Sequence, residues 1–137
     1  MVSRRGLSSV TPPRHPGLVP DGSFPRDVCS HIVGDAWSRV VLADDEFEVV
    51  PGVRTLWVGG HTECSQAVAA ETAKGSVVFG GDTVFMYENI ESNVPVAYLS
   101  SLAECYEAMD RIRDEADIVL PNHDPLVLER HPGGDAA

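Results

Sequence analysis

The sequence predicts a mixed α/β fold of the α+β kind, a mostly antiparallel sheet with one helix packed on a face. Three observations predict it. Short apolar segments of strand-like composition follow one another from Trp37 to Phe79, separated by tight-turn signals. A single longer stretch then carries Leu102, Cys105, Tyr106, Met109 and Ile112 at helical spacing, with charges between them. One further apolar segment, Ile118-Val119-Leu120, closes the series. Strands, then a helix, then a strand can bury their apolar faces together when the helix lies against the sheet.

The elements follow in order. Residues 1–30 are rich in turn formers, including Thr11-Pro12-Pro13 and Pro20-Asp21-Gly22-Ser23, and lack periodicity, so they are expected to be irregular or partly disordered. Residues 31–137 form the expected domain. Within it, strands are expected at 37–42 and 47–50, joined by an Asp44-Asp45 turn. Pro51-Gly52 turns the chain into a half-buried strand over 53–58, which Gly59-Gly60-His61 ends. A strand over 65–72, a hairpin turn at Lys74-Gly75 and a strand over 76–79 lead to Gly80-Gly81-Asp82. After the helix, the buried strand at 118–121 runs directly into Asn122-His123-Asp124-Pro125. Trp37 and Trp57 are expected to be packing residues, Cys105 to be buried, and His15, His31 and His131 to be exposed.

Composition narrows the function. The 137 residues suffice for one domain with a hydrophobic core. Ten Lys and Arg oppose 21 Asp and Glu, a formal net charge of −11 that repels a nucleic-acid backbone. No apolar run approaches the roughly 18 residues of a membrane span, and the N-terminus does not read as a secretory signal. A cytoplasmic location is therefore expected. The three cysteines, Cys29, Cys64 and Cys105, have no CxxC spacing, so neither a disulfide framework nor a cysteine zinc site is indicated.

His61, Asp82 and His123 each stand just after an apolar segment. Strand ends on one edge of a sheet are where sites are assembled, because the sheet holds loop residues in place. Two imidazoles and a carboxylate are a plausible zinc-type set, and a carboxylate can bridge two cations. Spacing alone leaves open that two of the five histidines meet this pattern by chance.

The flanking residues add a resemblance. Pro51-Gly52-Val53, Gly60-His61-Thr62 with Gln66, Gly81-Asp82 and Pro121-Asn122-His123-Asp124-Pro125 resemble the metallo-β-lactamase superfamily in order and separation. Tyr87-Glu88-Asn89 and the run from His123 to Val127 are similar to its N-acyl-homoserine-lactonase-like branch. The resemblance covers residues 37–132 and implies the C-terminal half of an αββα sandwich. It implies a hydrolase that uses two zinc ions and a metal-activated hydroxide on a small ester or lactone. In that frame His61 completes the first zinc site, Asp82 bridges the two ions and His123 binds the second. Asp124 orients a histidine, and Tyr87, with the Phe85 position as the alternative, faces the substrate.

The sequence also departs from the family. The leading His-x-His-x-Asp-His motif is absent, since only His15 and His31 precede His61. Glu63-Cys64 stands where the family has Pro-Gly, and Asn122 where it has Gly. Glu63 and Cys64 are both capable ligands, and a redox or binding role for Cys64 is a further option. The expectation is a truncated enzyme with an uncovered apolar sheet face, hence a homo-oligomer. The alternative is a non-catalytic remnant or half-domain that associates with itself or with another chain.

Overall fold

The computed structural model describes residues 1–10 and 25–134. The chain forms two compact units, Met1–Asp45 and Glu46–Ala137. In the first, strand β1 (Val2–Ser3) leads into helix α1 (Arg4–Val10), and helix α2 (Arg26–Val33) follows. β1 pairs in parallel with β2 (Leu42–Ala43), Val2 opposite Leu42 and Ser3 opposite Ala43. Arg4 and Arg5 reach Asp44 and Asp45 at 2.6 and 2.5 Å. Both pairs are solvent-exposed, so each adds little to stability.

Two expectations are corrected here. Residues 1–10 and 25–30, expected to be irregular, include all of β1 and α1 and the first turn of α2. His15 and the Pro-rich stretch 11–24 lie outside the described residues. Residues 37–42, expected as a strand, instead begin with a 3-10 turn, Trp37–Arg39. Trp37 N–H donates to the Gly34 carbonyl, and Arg39 N–H to that of Ala36, so the winding begun in α2 continues past its end. Val40 and Val41 carry β propensity, yet a strand needs a partner, and among the described residues β1 offers one that is two residues long and meets Leu42 and Ala43. Trp37 is 48% exposed rather than packed.

In the second unit β3 (Glu46–Val50), β4 (Val53–Trp57), β5 (Gln66–Thr72), β6 (Gly75–Phe79) and β7 (Ile118–Leu120) form one sheet in that order. The first four are antiparallel neighbours, and β7 joins β6 in parallel. Tight turns suffice for the antiparallel pairs. The parallel pair needs a crossover, and it contains the helices α3 (Tyr87–Glu91) and α4 (Leu102–Glu115). A last short helix, α5 (Leu126–Arg130), follows β7. The expected antiparallel sheet with a helix on one face is therefore present, with one parallel edge.

α4 covers that face. Ser101 caps it by accepting from the Glu104 amide. Leu56, Ala67, Ala69 and Val78 lie in adjoining cross-strand positions and bury themselves with Ala108 and Ile112 of the helix. Alanines on the central strand leave space for the helix to sit close. Arg111 ties α4 to the end of β4 through the Trp57 carbonyl (2.8 Å), and Arg113 ties it to α3 through the Ile90 carbonyl (3.0 Å). Cys105 is buried on α4 as expected, whereas His131 is half-buried, its amide donating to the Val127 carbonyl at the end of α5.

The other face carries a second cross-strand row: Phe47, Thr55, Val68, Phe79 and Leu120. Phe79 is 49% exposed there. Among the described residues no helix is long and apolar enough to cross a membrane.

Ile112 is fully buried in the core under α4. Ile112→Ala is expected to destabilise the chain by about 2–5 kcal/mol in urea unfolding, because it leaves a cavity the sheet cannot collapse to fill.

Candidate functional site

The site is built where β4, β6 and β7 end. After β4, the Val58 and Gly59 amides donate to the Ser65 carbonyl and close a loop. Gly60 sits at φ +77, and a Cβ on it would stand 2.8 Å from the Cys105 Cα, so the loop lies directly on the first turn of α4. Its amide donates to Glu104 (3.2 Å), and its carbonyl accepts from the Ser100 and Ser101 amides. His61 projects from this clamped turn with its side chain 13% exposed. His61 Nδ1 lies 2.7 Å from the Tyr98 carbonyl oxygen. A carbonyl can only accept, so Nδ1 carries a proton and donates to it, which fixes the ring's orientation.

Asp82 follows β6 in the 3-10 turn Gly81–Thr83. Gly81 has φ +56, and a Cβ there would meet the Gln66 carbonyl at 2.9 Å. Beyond β7 the chain stays paired with the segment after Asp82: Asn122 and His123 amides donate to the Val84 and Phe85 carbonyls at 2.9 and 3.0 Å. That pairing brings His123 to Asp82. His123 Nε2 lies 3.0 Å from Asp82 Oδ1, and Asn122 Nδ2 donates to the same oxygen at 2.8 Å. His61 Nε2 is 3.9 Å from Asp82 Oδ2. The Phe85 ring packs against both imidazoles, with centroids 5.8 Å from His61 and 4.6 Å from His123. Tyr98 adds a third ring, 5.5 Å from His61.

Burial pushes the Asp82 carboxyl up, but hydrogen bonds from Asn122 and His123 and the charges of both histidines outweigh it. The net effect holds the group below the usual carboxylate range. Asp82 is thus an anion in a half-open setting, its side chain 47% exposed.

The sequence-based candidates therefore divide. His61, Asp82 and His123 come together. Tyr87 is buried beside them in sequence but held by other groups: its amide donates to Asp124 Oδ2 (2.8 Å), and the Arg130 guanidinium lies 3.9 Å over its ring. Its hydroxyl is buried with no hydrogen-bond partner among the described residues, and that burial raises the phenol pKa; Arg130 opposes the rise, while Asp124 and Glu91 add to it. Asp124, for which the resemblance implied a histidine partner, instead takes the backbone amides of Tyr87 and Leu126 on its two oxygens. Glu63 engages through its backbone carbonyl, which accepts from the Trp57 indole, and Cys64 Sγ lies 3.5 Å from Thr62 Oγ1. Sequence reasoning did not single out the amide of Asn122 or the carbonyl of Tyr98. The signals for Asn122 were its position between a buried strand and His123 and its departure from the family's Gly.

Among the described residues, no group of three His, Cys, Asp or Glu side chains stands in metal-holding geometry. The trio is joined by hydrogen bonding and charge instead. In kind the donors suit a divalent ion such as zinc: two imidazoles and one carboxylate, with His61 already oriented through its second nitrogen. Three donors suffice for one ion and fall short of two.

Comparison with known proteins places the chain in a family. The profile of the metallo-beta-lactamase superfamily matches residues 14–123. An N-acyl homoserine lactonase of Bacillus sp is 34% identical over 87 residues, covering 61% of this chain and 35% of that protein. One from Bacillus cereus is 33% identical over the same length. Among solved structures, an N-acyl homoserine lactone hydrolase with N-hexanoyl-L-homoserine at its catalytic metal centre has a TM-score of 0.69 at 20% identity. It is matched over 94% of this chain and 48% of its own. A probable metal-dependent hydrolase from Staphylococcus aureus gives a TM-score of 0.57 at 22% identity, over 66% of this chain and 34% of its own. These structural likenesses show the fold. The chain spans about a third of the length of the curated relatives it matches and about half that of the first solved structure.

Asp124→Ala removes the acceptor for two amides at once. It is expected to cost about 1–3 kcal/mol and to speed hydrogen exchange at the Tyr87 and Leu126 amides together. Exchange at those two amides that stays as slow as in the parent chain would show that Asp124 does not hold the loops.

Proposed function

The chain belongs to the metallo-beta-lactamase superfamily, and from that premise we propose that it contributes to the metal-dependent hydrolysis of a small ester or lactone. The observation that carries this reading is the convergence of His61, Asp82 and His123, from three strand ends, on one ionised carboxylate. The curated relatives are lactonases, which favours a lactone as the substrate class. The reading takes the chain to work in the cytoplasm, on a small molecule rather than a nucleic acid, in keeping with its acidity.

In this reading His61, Asp82 and His123 hold zinc. A bound divalent ion supplies polarisation of a carbonyl and activation of water as the nucleophile. The residues themselves do the orienting. Tyr98 fixes the His61 ring through its carbonyl, and the rings of Phe85 and Tyr98 pack beside that imidazole. Asp82 supplies the negative charge that draws a cation in. Phe85 is the ring that faces the histidines, and Tyr87 acts behind it by packing under Arg130. A second ion needs donors beyond these three, and we assign them to the half of the fold that the match to solved relatives does not span.

The test is metal content of the purified chain by elemental mass spectrometry. About one ion per chain is expected, lost in His61→Ala and in Asp82→Ala, with lactone ring-opening assays on the loaded protein to follow. A chain with no metal above background would remove the hydrolase reading.

A second reading rests on the sheet face opposite α4, where Phe79 is 49% exposed in a mostly apolar row. There the chain is a half-domain that pairs with itself. Sedimentation should then show a dimer that Phe79→Glu shifts to monomer; a compact monomer at every concentration would rule out self-pairing.

A further inference from the structure

Tyr98 meets the candidate site twice, once through its backbone and once through its ring. Its carbonyl accepts from His61 Nδ1 at 2.7 Å, and its ring is tilted 57° against the imidazole with centroids 5.5 Å apart. The chain on either side is anchored. The Val94 carbonyl accepts from the Asn89 side chain at 2.7 Å, Val96 is buried, and the Ser100 and Ser101 amides donate to the Gly60 carbonyl. Tyr98 is nevertheless 57% exposed. Packing on His61 uses only part of the ring, and the rest is an aromatic surface held in water beside the site.

The ring also ends a series. Tyr98 packs on His61, His61 on Phe85 and Phe85 on His123, with centroids 5.5, 5.8 and 4.6 Å apart. Aromatic rings attract one another beyond the area they bury when their centroids are about 4.5–7 Å apart. A ring more than half exposed offers an open face rather than an enclosed slot. On such a face a rigid planar group keeps its whole contact. A flexible alkyl chain gives up rotational freedom for contact on one side only.

We propose that Tyr98 is a specificity-determining residue, whose ring favours an aryl group on the lactone that binds at His61. The inference rests on the hydrolase reading above and deepens it by naming the substrate class, an aryl-substituted lactone. A phenyl group joined directly to a lactone ring sets two rings side by side, as Tyr98 and His61 are. Because the hydrogen bond to His61 comes from the Tyr98 backbone, a change of side chain leaves that acceptor in place.

The experiment is a titration of the full chain with γ-phenyl-γ-butyrolactone and with γ-hexyl-γ-butyrolactone, followed by amide chemical shifts. The two substituents have the same number of carbons, and the hexyl group is the more apolar. The parent should bind the phenyl compound more tightly, with shifts at the Tyr98 and His61 amides. Tyr98→Ala should weaken that binding about fivefold, the scale of one aromatic pair, and change the hexyl compound by less than about twofold. Tyr98→Leu keeps an apolar side chain without a planar face and should lose the preference too, whereas Tyr98→Phe should keep it. Melting curves check that each variant is folded. A folded Tyr98→Ala or Tyr98→Leu chain with the parent's preference overturns this inference alone, as does a parent that favours the hexyl compound. Binding without ring opening, read in the proton spectra of the same samples, counts against the hydrolase reading and not against this inference. Binding of neither lactone by any of the chains overturns this inference and the lactone reading together.

Discussion

Helix α4 lies so close to the sheet that the turn after β4 has no room for a side chain: a Cβ on Gly60 would stand 2.8 Å from the Cys105 Cα. The contact does two jobs. It lets Ala108 and Ile112 fill the space over Leu56, Ala67, Ala69 and Val78, the main hydrophobic cluster of the second unit. It also presses the Gly59–Gly60 turn against the start of the helix, where Ser100, Ser101 and Glu104 occupy its backbone groups. A residue other than glycine at position 60 would have to lift the turn away from α4. The core and the placement of His61 therefore depend on the same close approach.

The second constraint is electrostatic. Asp82 leaves β6 through a turn that only a positive φ at Gly81 permits, and it arrives among nitrogen-bearing side chains. Partial burial alone would disfavour its charge, and its neighbours reverse that. Hydrogen bonds between the segments after β6 and β7 keep His123 and Asn122 in place, so the anion and its partners are held by backbone pairing rather than by the side chains themselves. Asp124 reinforces this by fastening the starts of α3 and α5 to one buried carboxylate.

Strands β3 to β6 were legible because each is bounded by a turn signal such as Pro51-Gly52 or Lys74-Gly75 and rich in apolar residues. Residues 37–42 misled for the same reason in reverse: Val40 and Val41 look like a strand, but propensity cannot supply a partner. α3 and α5 escaped notice because five residues are too few to show helical periodicity. In the site, Phe85 rather than Tyr87 is the ring in contact with both histidines, a choice that depends on two residues' difference along an irregular segment.

The sequence by itself determined the strand-ending glycines, the trio of candidate ligands and the family, because these are local patterns of residue type and order. Tertiary structure decided what each candidate touches. The occupation of one Asp82 oxygen by Asn122 and His123, the fixing of His61 by the Tyr98 carbonyl and the enclosure of Tyr87 under Arg130 all join residues distant in the chain. Such contacts exist only once the sheet register and the packing of α4 have set the distances, and no local pattern encodes a distance.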